Sequence, residues 1–129
     1  MVQKYLGIKH EYGKTDCIEL IRKFYIKELS IDFPLPSYPK SRDWMKQFTT
    51  NHVDEWASTC AVKVKLTEAK NYDVIAFRSI KSNLITHFGL FLAPTQMLHI
   101  EEGGISRVET LSQYWVERLH AFYRHESMV

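Results

Sequence analysis

Between Cys17 and Phe24 the apolar residues fall at Cys17, Leu20, Ile21 and Phe24. That i, i+3, i+4, i+7 spacing marks one buried face of a helix. Asp16 is a favourable N-cap, and Glu19 stands three residues later, the order of a capping box. The spacing predicts a helix over DCIELIRKFYIKEL with a cysteine in its first turn and Arg22, Lys23 and Lys27 on solvated sides. The three prolines of Ile31–Pro39 then favour extended backbone. Residues Ser41–Ala57 predict one or two short helices, with Ser41 as N-cap, Trp44 and Phe48 four apart, and Val53, Trp56 and Ala57 following.

After Ala57 the period changes to two. Cys60, Val62, Val64 and Leu66 alternate with Ala61, Lys63 and Lys65, which predicts a half-buried strand with the first set inward. Further strands are expected over Asp73–Arg78, Leu84–Leu92 and Gln96–Glu101. A turn at Glu102-Gly103-Gly104 leads to a short strand over Ile105–Val108. Thr110 is expected to cap a helix TLSQYWVERL, and a last strand runs from about His120 to His125. Helices first and antiparallel strands after them argue an α+β fold. The run Asn83–Ile100 carries no formal charge over 18 residues, which raises the question of a membrane span. Its two His, two Thr, Asn83, Gln96 and mid-run Pro94 argue two buried strands and a turn instead.

Composition narrows the classes. The 129 residues fit one domain, 1–129, and 45% apolar residues with 13% aromatics supply a core. Lys plus Arg is 17 against 15 for Asp plus Glu, a net charge of +2, and no basic run stands out, so no nucleic-acid partner is expected. The N-terminal MVQKYLGIKHEYGK lacks the apolar stretch of a signal peptide. Two cysteines, Cys17 and Cys60, make at most one bridge and read as reduced thiols.

Three residues carry candidate chemistry. A thiol in the first turn of a helix feels the partial positive charge and N–H groups of the terminus, which favour thiolate. Cys17 is such a thiol; a small buried hydrophobe is the alternative. His87 and His99 flank Ala93-Pro94 in two expected strands. A hairpin centred on Ala93 places His87 opposite His99 and Gly89 opposite Met97; a slip of two residues leaves the histidines diagonal and within reach. Gly89, on the same face, is expected to let another element, the first helix, approach. A thiol, a base and a group that orients the base are the parts of covalent acyl transfer. Two structural histidines packed in a sheet are the alternative. A two-His metal site has only Glu101 nearby as a further ligand. Tyr12 stands just before the cysteine, placed for the site or for loop packing. Cys60 reads as core, Tyr114 and Trp115 as packing, and His10, His52, His120 and His125 as surface residues.

Asp16-Cys17, His87-Phe88-Gly89-Leu90-Phe91 and Met97-Leu98-His99-Ile100 resemble, in order and spacing, the three motifs of the NlpC-type papain-like cysteine peptidases. The strand Asp73-Val74-Ile75-Ala76-Phe77, Leu35-Pro36, and Tyr114-Trp115 with Arg118 also fit. The resemblance runs from about Tyr5 to Arg124. It implies Cys17 as nucleophile, His87 as general base and His99 as the orienting residue. It also implies the Cys17 N–H in an oxyanion hole, Asp16 and Tyr12 in support, and no metal or organic cofactor. Peptide bonds of bacterial peptidoglycan are the implied substrate. Tyr12-Gly13-Lys14-Thr15-Asp16-Cys17 with Leu20-Ile21-Arg22 resembles the version in tail tips of long-tailed bacteriophages. That version implies tail-tip partners and a place in the virion tail after synthesis in the host cytoplasm. A structural tail-tip protein of the same fold, or an intracellular amidase or acyltransferase, are the alternatives. Ile18-Glu19 stand where the family usually has small residues, and Tyr72 where it usually has glycine.

Overall fold

The computed structural model describes residues 1–33 and 49–129. The expected features at Leu35-Pro36, Ser41, Trp44 and Phe48 lie outside the described residues, as does most of the proline-rich segment.

The helix signalled by the cysteine-bearing segment is α1, Cys17–Phe24, which continues as a π-helical turn over Tyr25–Leu29. Asp16 caps it: its Oδ1 accepts from the Ile18 and Glu19 amides at 3.1 and 2.9 Å. The reciprocal half of the expected capping box is missing. Glu19 turns forward instead and accepts from Arg22 Nη1 at 2.8 Å, because an ion pair one turn on is available to it. A second helix, α2, covers Thr50–Ala57 and is capped by Thr49.

The strands are β1 (Ala61–Val64), β2 (Val74–Arg78), β3 (Ile85–Leu92), β4 (Gln96–His99), β5 (Arg107–Thr110) and β6 (Leu119–His125), with helix α3 over Gln113–Arg118 before β6. They form one antiparallel sheet in the order β1-β6-β2-β3-β4-β5. The uncharged run around Pro94 is thus β3, a turn and β4, and among the described residues no helix is long and apolar enough to cross a membrane.

Two clusters form on the sheet. The larger joins Cys17, Ile18, Leu20, Ile21 and Phe24 of α1 to Ile85, Phe88, Leu90, Leu98 and Ile100. The smaller holds Ile75, Phe77, Phe91, Met97, Trp115 and Phe122. The alternation expected around β1 does not hold. Cys60 is buried, but Val62 is 43% exposed and Leu66, in a 3-10 turn, is 50% exposed. β1 is an edge strand, and α3 covers β2 rather than reaching it. α2 is tied to the sheet by Asp54, which accepts from Tyr123 Oη at 2.6 Å and His120 Nε2 at 2.9 Å. His120, expected on the surface, is therefore half-buried.

Other boundaries differ locally. β5 begins two residues later than expected, because Ile105 forms a bridge with Lys9 in the N-terminal segment. That segment lies along residues 104–106, with Gly7 N–H to Ser106 O at 2.9 Å and His10 N–H to Gly104 O at 3.0 Å. Thr110 ends β5, and Ser112 takes the N-cap position of α3. Asp73, fully buried before β2, accepts two bonds from Arg124, at 2.9 and 2.8 Å, and one from the Lys70 amide. Tyr72, just before it, has φ of 76°. Its ring packs on Phe24 at 5.1 Å, and its carbonyl accepts the Tyr25 hydroxyl.

Candidate functional site

The hairpin register fixes the two histidines. Leu92 stays in β3, where it packs against the larger cluster, so the pairs are Leu92 with Gln96, Phe91 with Met97 and Leu90 with Leu98. The hairpin is centred on Pro94 rather than Ala93. This shift by two in pairing keeps every side chain on its face and makes His87 and His99 diagonal neighbours. Their rings meet directly, His87 Nε2 to His99 Nδ1 at 2.9 Å.

A bulge aims His87. Phe77 pairs with His87 but Arg78 pairs with Ile85, so Thr86 is the extra residue of β3. β6 has the corresponding irregularity at His120. Bulges bend a strand locally and re-aim the side chains beside them. The bulged Thr86 is held by a bond from Arg118 Nη2 to its Oγ1 at 3.0 Å.

Aromatic rings enclose the pair. Phe77 stacks on His87 with centroids 5.8 Å apart, and Trp115 lies 5.3 Å from His87 and 5.2 Å from His99. Burial therefore holds His87 well below the ordinary imidazole range, helped by the neighbouring charges of His99, Arg118, Arg107 and His10. His99 is also lowered by burial, with the Glu109 hydrogen bond opposing. Both rings are neutral near pH 7.

Glu109 is the residue that sequence reasoning missed. Its Oε1 accepts from His99 Nε2 at 2.9 Å and Arg107 Nη2 at 2.8 Å, and its Oε2 from Trp115 Nε1 at 2.7 Å. Burial pushes the Glu109 carboxyl up, but the Trp115 and His99 bonds and the Arg107 charge outweigh it and hold it below the usual carboxylate range. The Arg107-x-Glu109 alternation beside His99 is a usable signal, but a strand expected over Ile105–Val108 ends one residue short of Glu109. His99, Glu101 and Glu109 offer ligand atoms within 4.8 Å of one another. Arg107 already donates to both carboxylates, at 2.5 and 2.8 Å, so the chain supplies the cation there itself.

Cys17 lies buried at the start of α1, the helix that packs on β3. Cys17 and Cys60 are both buried thiols. Asp16 is also buried, and its Oδ2 accepts the Gly13 amide at 2.6 Å, which ties the approach loop to the helix cap. Tyr12 is half-buried, with its ring edge-on to His10 at 4.7 Å. Ile18 is 1% exposed and belongs to the core, so its bulk is absorbed by packing. Gly89 does not make room for the first helix. A Cβ there would meet Met97 Sδ at 2.8 Å and Phe77 at 3.5 Å, so the space it leaves is filled from within the smaller cluster.

Known proteins show the same arrangement of elements. A protein from Staphylococcus aureus, described as similar to lipoprotein of the NLP/P60 family, superposes with a TM-score of 0.63 at 23% identity, over 96% of this chain and 38% of that one. RipD of Mycobacterium tuberculosis, described as a non-catalytic NlpC/p60 domain protein adapted to peptidoglycan binding, gives 0.57 at 15% identity, over 96% and 90%. In sequence the chain is 26% identical over 121 residues to tail tip assembly protein K of Escherichia phage lambda. The match takes in 94% of this chain and only 59% of that relative. Residues 4–124 match the NlpC/P60 family as a whole, and so the chain is a member of that family.

Proposed function

We propose that the protein is a cysteine peptidase that cleaves peptide bonds of bacterial peptidoglycan as a component of a bacteriophage tail tip. The observation that carries the reading is the His87–His99 contact of 2.9 Å; the Cys17 helix packs on the same strand through the larger cluster of Phe88 and Leu90, whereas the His87 ring lies against Phe77 and Trp115 of the smaller one. A base held by a second group, with a thiol at a helix start, is the equipment of covalent acyl transfer. Family membership supports the chemistry, and the similarity to the tail tip assembly protein of phage lambda supports the tail tip.

His99 occupies Nε2 of His87, so Nδ1 is the nitrogen assigned to the thiol. In the proposed cycle the Cys17 thiol gives its proton to His87 Nδ1, and the thiolate attacks the peptide carbonyl carbon. The oxyanion is received by the Cys17 backbone N–H, whose position Asp16 fixes by capping the helix. Collapse of the tetrahedral species breaks the C–N bond, and His87 returns the proton to the leaving amine. Water then gives a proton to His87 and attacks the thioester. The C–S bond breaks and Cys17 regains its proton. Tyr12 borders the approach to the thiol. The substrate class is stem peptides, and the other partners are tail-tip proteins of the virion.

A second reading is a structural tail-tip or wall-binding protein on the same fold. The 5% exposure of Cys17 favours it. The test digests purified peptidoglycan with wild type and Cys17→Ser and identifies fragments by mass. New peptide ends released by wild type alone support the peptidase; no release by wild type, with the protein present in purified tails, supports the structural reading.

A further inference from the structure

The carboxylate behind the histidines decides which nitrogen of each ring carries the proton. Glu109 faces three donors. Arg107 and the Trp115 indole can only donate, so both carboxylate oxygens are acceptors. Glu109 Oε1 also lies 2.9 Å from His99 Nε2, and an ionised carboxylate there can only receive the Nε2 proton. A neutral imidazole has one proton, so His99 Nδ1 is then bare. That bare nitrogen lies 2.9 Å from His87 Nε2, which must therefore donate. His87 is left with its proton on Nε2 and a lone pair on Nδ1. The geometry points to Glu109 as a positioning residue that, through His99, holds His87 in the tautomer with Nδ1 unprotonated. The role of that lone pair as the base for Cys17 rests on the peptidase reading; the tautomer relay itself does not.

The alternative is mechanical. Glu109 joins β5 to α3 through Trp115, and its loss could disturb the site simply by loosening Trp115. Two variants separate these effects. Glu109→Gln keeps the shape but turns one oxygen into a donor, so one of the three donors facing it loses its acceptor. Turned toward His99, the amide pushes a proton onto His99 Nδ1 and, in consequence, onto His87 Nδ1. Trp115→Phe removes the indole donor and leaves the carboxylate facing His99.

The experiment records long-range 1H–15N correlation spectra of the imidazoles in the full chain near pH 7, with His87 and His99 assigned by substitution. Both rings as Nε2–H tautomers in wild type and in Trp115→Phe, with Nδ1–H appearing at His87 in Glu109→Gln, is the expected result. His87 as Nδ1–H in wild type overturns the inference without any variant. Where cleavage of purified peptidoglycan is measurable, Glu109→Gln should lower kcat by about a hundredfold with KM little changed. That is less than the roughly ten-thousandfold cost of neutralising a carboxylate bonded directly to the base, because His99 stands between. A loss confined to KM contradicts the role. Expected spectra with no cleavage by wild type would refute the peptidase and leave the relay standing.

Discussion

Mild acid should destabilise this protein well before its carboxylates titrate. His87 and His99 are 6% and 1% exposed and are held neutral by burial. In the unfolded chain the same imidazoles titrate near 6.5. Below that pH the unfolded state binds protons that the native state does not. Stability therefore falls as pH drops from about 6.5 toward the depressed native values. Each imidazole excluded from protonation contributes about 1.4 kcal/mol per pH unit. One unit below the unfolded value, His87 alone removes about 1.4 kcal/mol, and His99 adds up to as much, against a typical total of roughly 5–15 kcal/mol. Urea unfolding followed by tryptophan fluorescence at about pH 7, 6.5, 6 and 5.5 measures this, with the midpoint falling and the slope m constant. His87→Gln should flatten the dependence by the His87 share. A midpoint that stays level from pH 7 to 5.5, or an equal fall in His87→Gln, refutes the reasoning.

Other outcomes follow from single contacts. In a Cys60→Ser background, iodoacetamide should label Cys17 roughly tenfold faster than in the additional variant His87→Ala, since a one-unit drop in thiol pKa raises the thiolate fraction about that much; equal rates would mean that thiol and imidazole do not communicate. His99→Gln, which keeps an acceptor for His87, should retain more peptidoglycan cleavage than His99→Ala at equal folded concentration, and the reverse order would exclude an orienting role. Arg124→Met leaves the buried Asp73 carboxylate with the Lys70 amide and should cost about 3–5 kcal/mol in chemical denaturation, much of it recovered by Asp73→Asn in the same chain. Gly89→Ala brings a methyl onto Met97 Sδ and should cost about 1–3 kcal/mol, a penalty that disappears in a Met97→Ala background if the contact is the cause.

The parts of this molecule visible in its sequence are those governed by local rules. The α1 face was written in the spacing of Cys17, Leu20, Ile21 and Phe24, and Asp16 marked its start. The hairpin was visible, and so was the diagonal contact of the histidines, since a slip by two keeps faces. The bulge was not visible. Counting alternation back from Phe88 puts Ile85 on the His87 face, yet Ile85 shares the larger cluster with Phe88 because Thr86 is extra. Nothing in Ile85-Thr86-His87 announces that. Glu109 was missed because its role depends on pairing with β4 and on Trp115 returning from a helix, both contacts between distant segments. β1 differs for a related reason: Cys60 lies before the strand and joins the larger cluster, while Val62 and Val64 share the other face, whose cover depends on where α3 lies.

Tyr72 has a further consequence for how the parts of the fold hold together. A φ of 76° costs a residue with a side chain about 1–2 kcal/mol relative to ordinary backbone. Two contacts to the helical segment help offset it, the ring on Phe24 and the carbonyl that takes the Tyr25 hydroxyl, beside the bond of its own amide to Phe91 O at 2.8 Å. Phe24 and Tyr25 lie in the helical segment that begins at Cys17. If that segment leaves the sheet, the turn keeps its bond to Phe91 but loses two of the contacts that offset its left-handed backbone, and a turn that relaxes no longer presents the carbonyl for the segment's return. Helix docking and turn geometry are therefore coupled. With glycine at this position the turn would keep its shape whether or not the helix was in place.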